Sequence, residues 1–158
     1  MKRNHLLLFA LVLLPRSGAA AQEVADFIYL PAARLEAAVS AASVAAPAPL
    51  LANTLEQRDD HASIMVRRTE SSAPELHEEF DDLYIVEQGA AVLVYGGSYA
   101  GGENTQPGEW RGGAISGAQR QALAPGDVVV VPANVAHAVE IAPGGSIIYH
   151  VVKVRRGK

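Results

Sequence analysis

The 158-residue chain contains no cysteine. That excludes a disulfide framework, a thiolate metal site, a cysteine nucleophile and a lipid-bearing N-terminal cysteine. Positive charge is also scarce. Lys and Arg number 13 against 17 Asp and Glu, for a formal net charge of −4, so there is no basic footprint for nucleic acid. No apolar run reaches the ~20 residues that a helix needs to cross ~30 Å of hydrocarbon. Phosphate-loop, HExxH and calcium-loop patterns are missing as well. What is present suits one globular domain: 49% of the residues are hydrophobic and 19% charged, enough to build a core.

Residues 1–21, MKRNHLLLFALVLLPRSGAAA, have the form of a secretory signal peptide. Lys2 and Arg3 precede an apolar run from Leu6 to Leu14, Pro15 breaks the run, and Ala19-Ala20-Ala21 offers a small-residue cleavage site. The alternatives are an uncleaved anchor or a buried core helix, for both of which the run is short. The expected address is periplasmic or secreted, with cleavage near Ala21 and no membrane attachment afterwards. Removal of 1–21 takes three basic side chains and no acidic one, leaving a more acidic, soluble chain.

Residues 22–60 read as an extension. Phe27-Ile28-Tyr29-Leu30 suits a short strand, able to pair with a neighbour's sheet in a homodimer. Pro31 suits the first turn of a helix over 32–43, with Leu35, Val39 and Ala42 forming an apolar stripe. From residue 61 to 158 the pattern becomes one of short β-rich runs separated by turns, at 63–68, 83–87, 91–95, 128–132, 136–141 and 146–154, which indicates an all-β sandwich or barrel. Glu87-Gln88-Gly89 and Pro143-Gly144-Gly145 read as tight hairpin turns. Residues 96–122 are Gly-rich without sustained alternation. They read either as a solvated loop with Trp110 packed, or as a lid over a pocket.

Two segments carry the chemistry. In PELHEEFDDLYIVEQG (74–89), Glu75 and His77 are two apart, four residues precede Asp82, and six more precede Gly89. In PGDVVVVPANVAH (125–137), Gly126 is followed after five residues by Pro132-Ala133-Asn134 and, two residues later, His137. On a strand Glu75 and His77 share a face. Simple alternation from His77 would turn Glu79 and Asp81 inward. A turn in between resets that phase, and the spacing to Gly89 selects Asp82 over Asp81.

The order and spacing of the two segments resemble the cupin family over about residues 63–154. The resemblance implies an all-β, double-stranded β-helix (jelly-roll) barrel with the N-terminal helix outside. It also implies a divalent metal, Fe, Mn, Ni or Zn, held by Glu75, His77, Asp82 and His137. Two imidazoles with carboxylates form the ligand set of a non-haem iron centre. The chain departs from the family pattern in three places. Glu75 stands where the first motif has its first His, Asp82 replaces the longer Glu, and Ile141 lies where the closing Asn would be. These changes make the site harder and more anionic, or mark a site that binds nothing. Asn134 tolerates the left-handed backbone that the family's Gly adopts.

Remaining candidates follow from strand phase. If Lys153 and Arg155 face water, Ile148, His150 and Val152 face inward, making His150 a pocket residue and the spare catalytic base; the alternative is a hydrogen-bonded core histidine. Tyr84, in phase with Asp82, lines the cavity or packs its ring. Either Arg67 or Arg68 points inward, to meet an anionic ligand or to pair with Glu75. Glu78, Glu79 and Asp81 form a solvated acidic face, and His61 lies at the surface. Three functions fit: a metal-dependent oxygenase, isomerase or lyase on a small organic substrate; a non-enzymatic module binding a small sugar or phenolic ligand; or a purely structural barrel.

Overall fold

A computed structural model describes residues 27–44 and 48–157; residues 1–21, read above as a signal peptide, and residues 22–26 lie outside them. Residues 27–30 form no strand, and Phe27 and Tyr29 are exposed. A lone tetrapeptide without a paired neighbour gains no ladder to hold it extended. The helix forms as the sequence indicates. In α1 (Ala32–Val44), the Pro31 carbonyl accepts the backbone N–H of Arg34.

Among the described residues thirteen strands follow: β1 (Leu50–Gln57), β2 (His61–Arg68), β3 (Glu75–His77), β4 (Phe80–Gly89), β5 (Ala91–Tyr95), β6 (Ser98–Ala100), β7 (Glu103–Gln106), β8 (Glu109–Arg111), β9 (Ala114–Ser116), β10 (Gln119–Leu123), β11 (Val128–Val131), β12 (His137–Glu140) and β13 (Ile147–Arg155). They form a five-stranded sheet, β1-β2-β13-β4-β11, a six-stranded sheet, β10-β5-β12-β3-β8-β7, and the pair β6-β9. All of these strand pairings are antiparallel. The two large sheets face each other as a jelly-roll barrel.

The barrel core draws Val66, Tyr84, Val86, Val131, Ile147, Tyr149 and Val151 from the first sheet, and Leu93 and Val139 from the second. The helix closes a second core on the outer side of the five-stranded sheet, where Ala38 and Ala42 meet Leu55, Met65 and Ile148. Strands β2 and β13 are therefore covered on both faces, which explains their near-continuous burial and apolar composition.

Several expectations are corrected. Strand β1 pairs with β2 along its length, so residues 50–57, within the segment read as an extension, add an edge strand to the five-stranded sheet. Neither Glu87–Gly89 nor Pro143–Gly145 closes a hairpin. Strands β4 and β13 belong to one sheet and β5 and β12 to the other, so both segments are corners where the chain changes sheets. Gly89 is needed at its corner. Its φ is +79°, and a Cβ there would lie 2.1 Å from the Ser146 carbonyl oxygen. Residues 96–122 are not structureless: they supply β6 to β10, with β10 paired to β5 and β8 to β3. Glycines at the turns hide the alternation, since each strand has only three to five residues.

The Pro132-Ala133-Asn134 turn is confirmed. Asn134 has φ +65°; its backbone N–H donates to the His77 carbonyl at 2.8 Å and its amide to the Glu78 carbonyl at 3.1 Å. Asn134→Ala is expected to destabilise the protein by about 1 kcal/mol, because Ala gains nothing from left-handed backbone and drops the amide bond. Asn134→Gly should cost less. Urea unfolding midpoints measure both; equal losses would show that backbone conformation is not what selects Asn.

Candidate metal centre

The register of β3 builds the centre. Glu75 and His77 are buried on one face of this strand. Glu75 lies opposite His137 of β12 on one side and Arg111 of β8 on the other, and His77 lies opposite Glu109. Asp82 reaches in from β4, across the barrel, after the turn at 78–79 has reset the strand phase. Its direct neighbour on β13 is Lys153. Each carboxylate of the centre thus has a basic residue beside it in the adjacent strand, the arrangement that stabilises opposite charges across a sheet.

Three of the four side chains expected from the sequence, Glu75, His77 and His137, form one group, and Asp82 lies beside the two imidazoles. Ligand atoms of Glu75, His77 and His137 lie within 4.8 Å of one another, and all three residues are buried. His77 Nε2 is 3.3 Å and His137 Nε2 3.7 Å from Asp82 Oδ2, and His137 Nε2 is 3.4 Å from Glu75 Oε1. The imidazoles are tilted, 5.3 Å between centroids.

The far nitrogens fix the orientation of both rings. His137 Nδ1 lies 3.0 Å from the Val135 carbonyl. A carbonyl only accepts, so Nδ1 carries a hydrogen and Nε2 is the atom the ring offers to the centre. That Nε2 is buried and has no hydrogen-bond partner. His77 Nδ1 lies 2.6 Å from Glu109 Oε2, a carboxylate–histidine arrangement that likewise turns Nε2 inward. A buried, unbonded imidazole nitrogen is costly unless something accepts its lone pair. One such nitrogen, with a second imidazole turned the same way and two carboxylates beside them, fits a divalent cation.

Charge is arranged around this core. Arg111 bonds Glu75, and Lys153 Nζ donates to Asp82 Oδ1 at 2.7 Å. Burial opposes ionisation of Glu75, but His137 and Arg111 outweigh it and hold the carboxyl well below its usual range. Asp82 is lowered in the same sense, burial being overcome by His77 and Lys153. Burial disfavours charge on His77 as well, yet Asp82 and Glu109 raise it to about 9. Burial pushes the Tyr84 phenol up, so its hydroxyl stays protonated; it donates toward Asp82 Oδ2 at 3.4 Å.

The secondary candidates divide. Tyr84 lines the cavity, with Glu75, His77 and Asp82. His150 does not. Tyr149 and Val151 point into the barrel core and Ile148 into the helix-covered one, so His150 lies on the outer face, its Nε2 2.7 Å from Ser63 Oγ. The expected phase fails because it needs Lys153 to face water, whereas Lys153 turns inward to Asp82. His150 is a hydrogen-bonded structural histidine, remote from the centre. Of the two arginines, Arg68 lines the cavity, and Arg67 donates to the Ala48 carbonyl at 3.2 Å; Glu75 takes its partner from β8 instead. The acidic face is more organised than expected: Glu78 accepts the Trp110 indole N–H at 2.7 Å, Glu79 pairs with Arg155, and Asp81 with Arg156. His61 is partly exposed and contacts Asp60. Glu109, Arg111 and Lys153 belong to the centre without having been expected there. No signal marked the first two, because their strand has only three residues between glycines.

No known family model and no curated protein matches the chain. Solved structures do. The cupin domain of Cnp3 from Schizosaccharomyces pombe superposes with a TM-score of 0.53 at 10% identity, covering 72% of this chain and 70% of that one. TT1209 from Thermus thermophilus gives 0.50 at 17% identity, covering 68% and 85%. A cupin superfamily protein from Desulfitobacterium hafniense DCB-2 gives 0.48 at 23% identity, covering 72% and 85%. Two facing antiparallel sheets, with an inward cluster on adjacent strands and a neighbour named as a cupin domain, establish that this chain has the cupin fold.

Proposed function

We propose that this is an exported metal-binding cupin-fold protein that acts on a small organic molecule. The observation that carries the metal reading is the pair of imidazoles whose Nδ1 atoms are tied outward while their Nε2 atoms share a buried space with Glu75 and Asp82. Glu75, His77 and His137 would hold the ion, with Asp82 beside them. The oxygen and nitrogen donors suit Fe, Mn, Ni or Zn. When bound, such an ion supplies Lewis acidity toward a substrate oxygen. A cavity of about 310 Å³ adjoins the centre, lined by Leu50, Ile64, Val66, Tyr84 and Val151 among others, which is the size of a small-molecule site. Within it Tyr84 can donate a hydrogen bond and Lys153 holds Asp82 in place. Export rests on the pattern of residues 1–21.

Equilibrium dialysis against zinc, manganese, nickel and anaerobic ferrous iron tests the metal reading. Uptake of about one ion per chain is expected, the stoichiometry of a single closed ligand set. No uptake of any of the four rejects it. Oxygen consumption and product screens over catechols, thiols and diketones then test turnover. A second reading, a metal-independent binding module, is favoured by one observation: Arg111 and Lys153 already neutralise Glu75 and Asp82. Ligand binding that persists without metal, with no turnover, would establish it. Glu109→Ala is expected to weaken the ion by about 10- to 100-fold in a chelator competition, since it releases the His77 ring. An unchanged affinity would remove Glu109 from the support of the centre.

A further inference from the structure

Three cationic side chains line the cavity beside the centre: Arg68, Arg111 and Lys153. Two are committed. Arg111 bonds Glu75, and Lys153 bonds Asp82. Arg68 is different. It comes from β2, in register with Leu50 of β1 and Ile147 of β13. Its Nε donates to the Tyr149 hydroxyl at 3.0 Å. Among the described residues no carboxylate lies within ion-pair distance of it. A guanidinium has five N–H donors in a planar fork; one is used here, so the fork facing a small cavity still has donors to give. The remaining wall is apolar, made by Leu50, Ala52, Ile64, Val66 and Val151.

The charge balance points the same way. Glu75, Asp82 and Glu109 surround the centre with three carboxylates, against the three cations Arg68, Arg111 and Lys153. These six charges leave the centre no net negative charge to repel an anion from Arg68. A divalent cation in the centre would add positive charge, which favours an anionic guest.

We propose that Arg68 anchors the carboxylate of a small organic acid whose apolar body lies against Leu50, Ile64, Val66 and Val151. The inference rests on the reading of this cavity as a ligand site and names the class of ligand it takes. Arg68 suits the role because its planar fork matches a carboxylate, and a side chain already pinned through Nε loses less freedom on binding.

Isothermal titration of the metal-stripped protein with benzoate and with its neutral isostere benzamide tests this. Benzoate is expected to bind at least about tenfold more tightly, the scale of a charge-assisted bond in a desolvated site. Arg68→Gln should abolish that preference, and Arg68→Lys, which keeps the charge but not the fork, should restore part of it. Equal affinity of the wild-type protein for the two probes, no binding of benzoate, or a preference that survives in a folded Arg68→Gln protein would each overturn the proposal. Should Arg68→Gln fail to fold, the wild-type comparison and the Lys variant still decide. Zinc uptake by the wild-type chain, followed separately, reports on the metal centre alone: it can fail while the benzoate preference stands, and the reverse.

Discussion

His137→Ala should bind zinc at least about a hundredfold more weakly than the wild-type protein, a larger loss than removal of a supporting partner produces. His137 is the most deeply buried of the candidate ligands. Its ring is oriented by the Val135 carbonyl, and its Nε2 is the unbonded atom at the centre. Alanine at this position removes one of the two nitrogen donors and leaves a void, so some loss of stability will accompany it. For that reason uptake should be measured on protein with native far-ultraviolet dichroism, beside Glu75→Gln, which keeps the volume but weakens the donor. Zinc content equal to that of the wild type in both variants would mean that the cluster does not hold the ion.

The metal-free protein should lose about 2 kcal/mol of unfolding free energy between pH 7 and 9.5. His77 drives this. Its folded pKa is raised from 6.5 to about 9, because Asp82 and Glu109 outweigh the burial that disfavours its charge. A group raised on folding contributes stability fully below its unfolded pKa and loses it as the pH climbs through the folded one. The loss therefore falls between about 6.5 and 9. The lowered carboxyls of Glu75, Asp82 and Glu109 titrate far below this window. Burial pushes Tyr84 and Tyr149 above 10, so the range ends before they matter. Urea titrations in chelator at several pH values measure the curve, and a flat profile would show that His77 is not held as an imidazolium between its two acids. Ligation of a cation needs the neutral ring, so ion affinity should move oppositely and rise with pH.

Much of this is legible in the residues because strand chemistry is local. Glu75-x-His77 places two donors on one face wherever the strand lies. A turn after His77 resets the strand phase, and the spacing to Gly89 then selects Asp82 over Asp81. The positive φ of Asn134 follows from what Asn tolerates. The failures share a different cause: they depend on which sheet a strand joins. An inward His150 requires Lys153 to meet water, and only the pairing of β13 with β4 shows Lys153 beside Asp82. Glu109 and Arg111 reach the centre through β8, a three-residue strand that no periodicity can reveal. The corners at Gly89 and Gly144 resemble hairpin turns until the partners of the flanking strands are known.

The position of β13 has a consequence for how the molecule folds. It is the last of the described strands, yet it lies in the middle of its sheet, with β2 on one side and β4 on the other. Until it docks, the two neighbours it joins have no ladder between them, and Asp82 has no lysine. Assembly of that sheet therefore waits on contacts between segments far apart in the chain, which slows it.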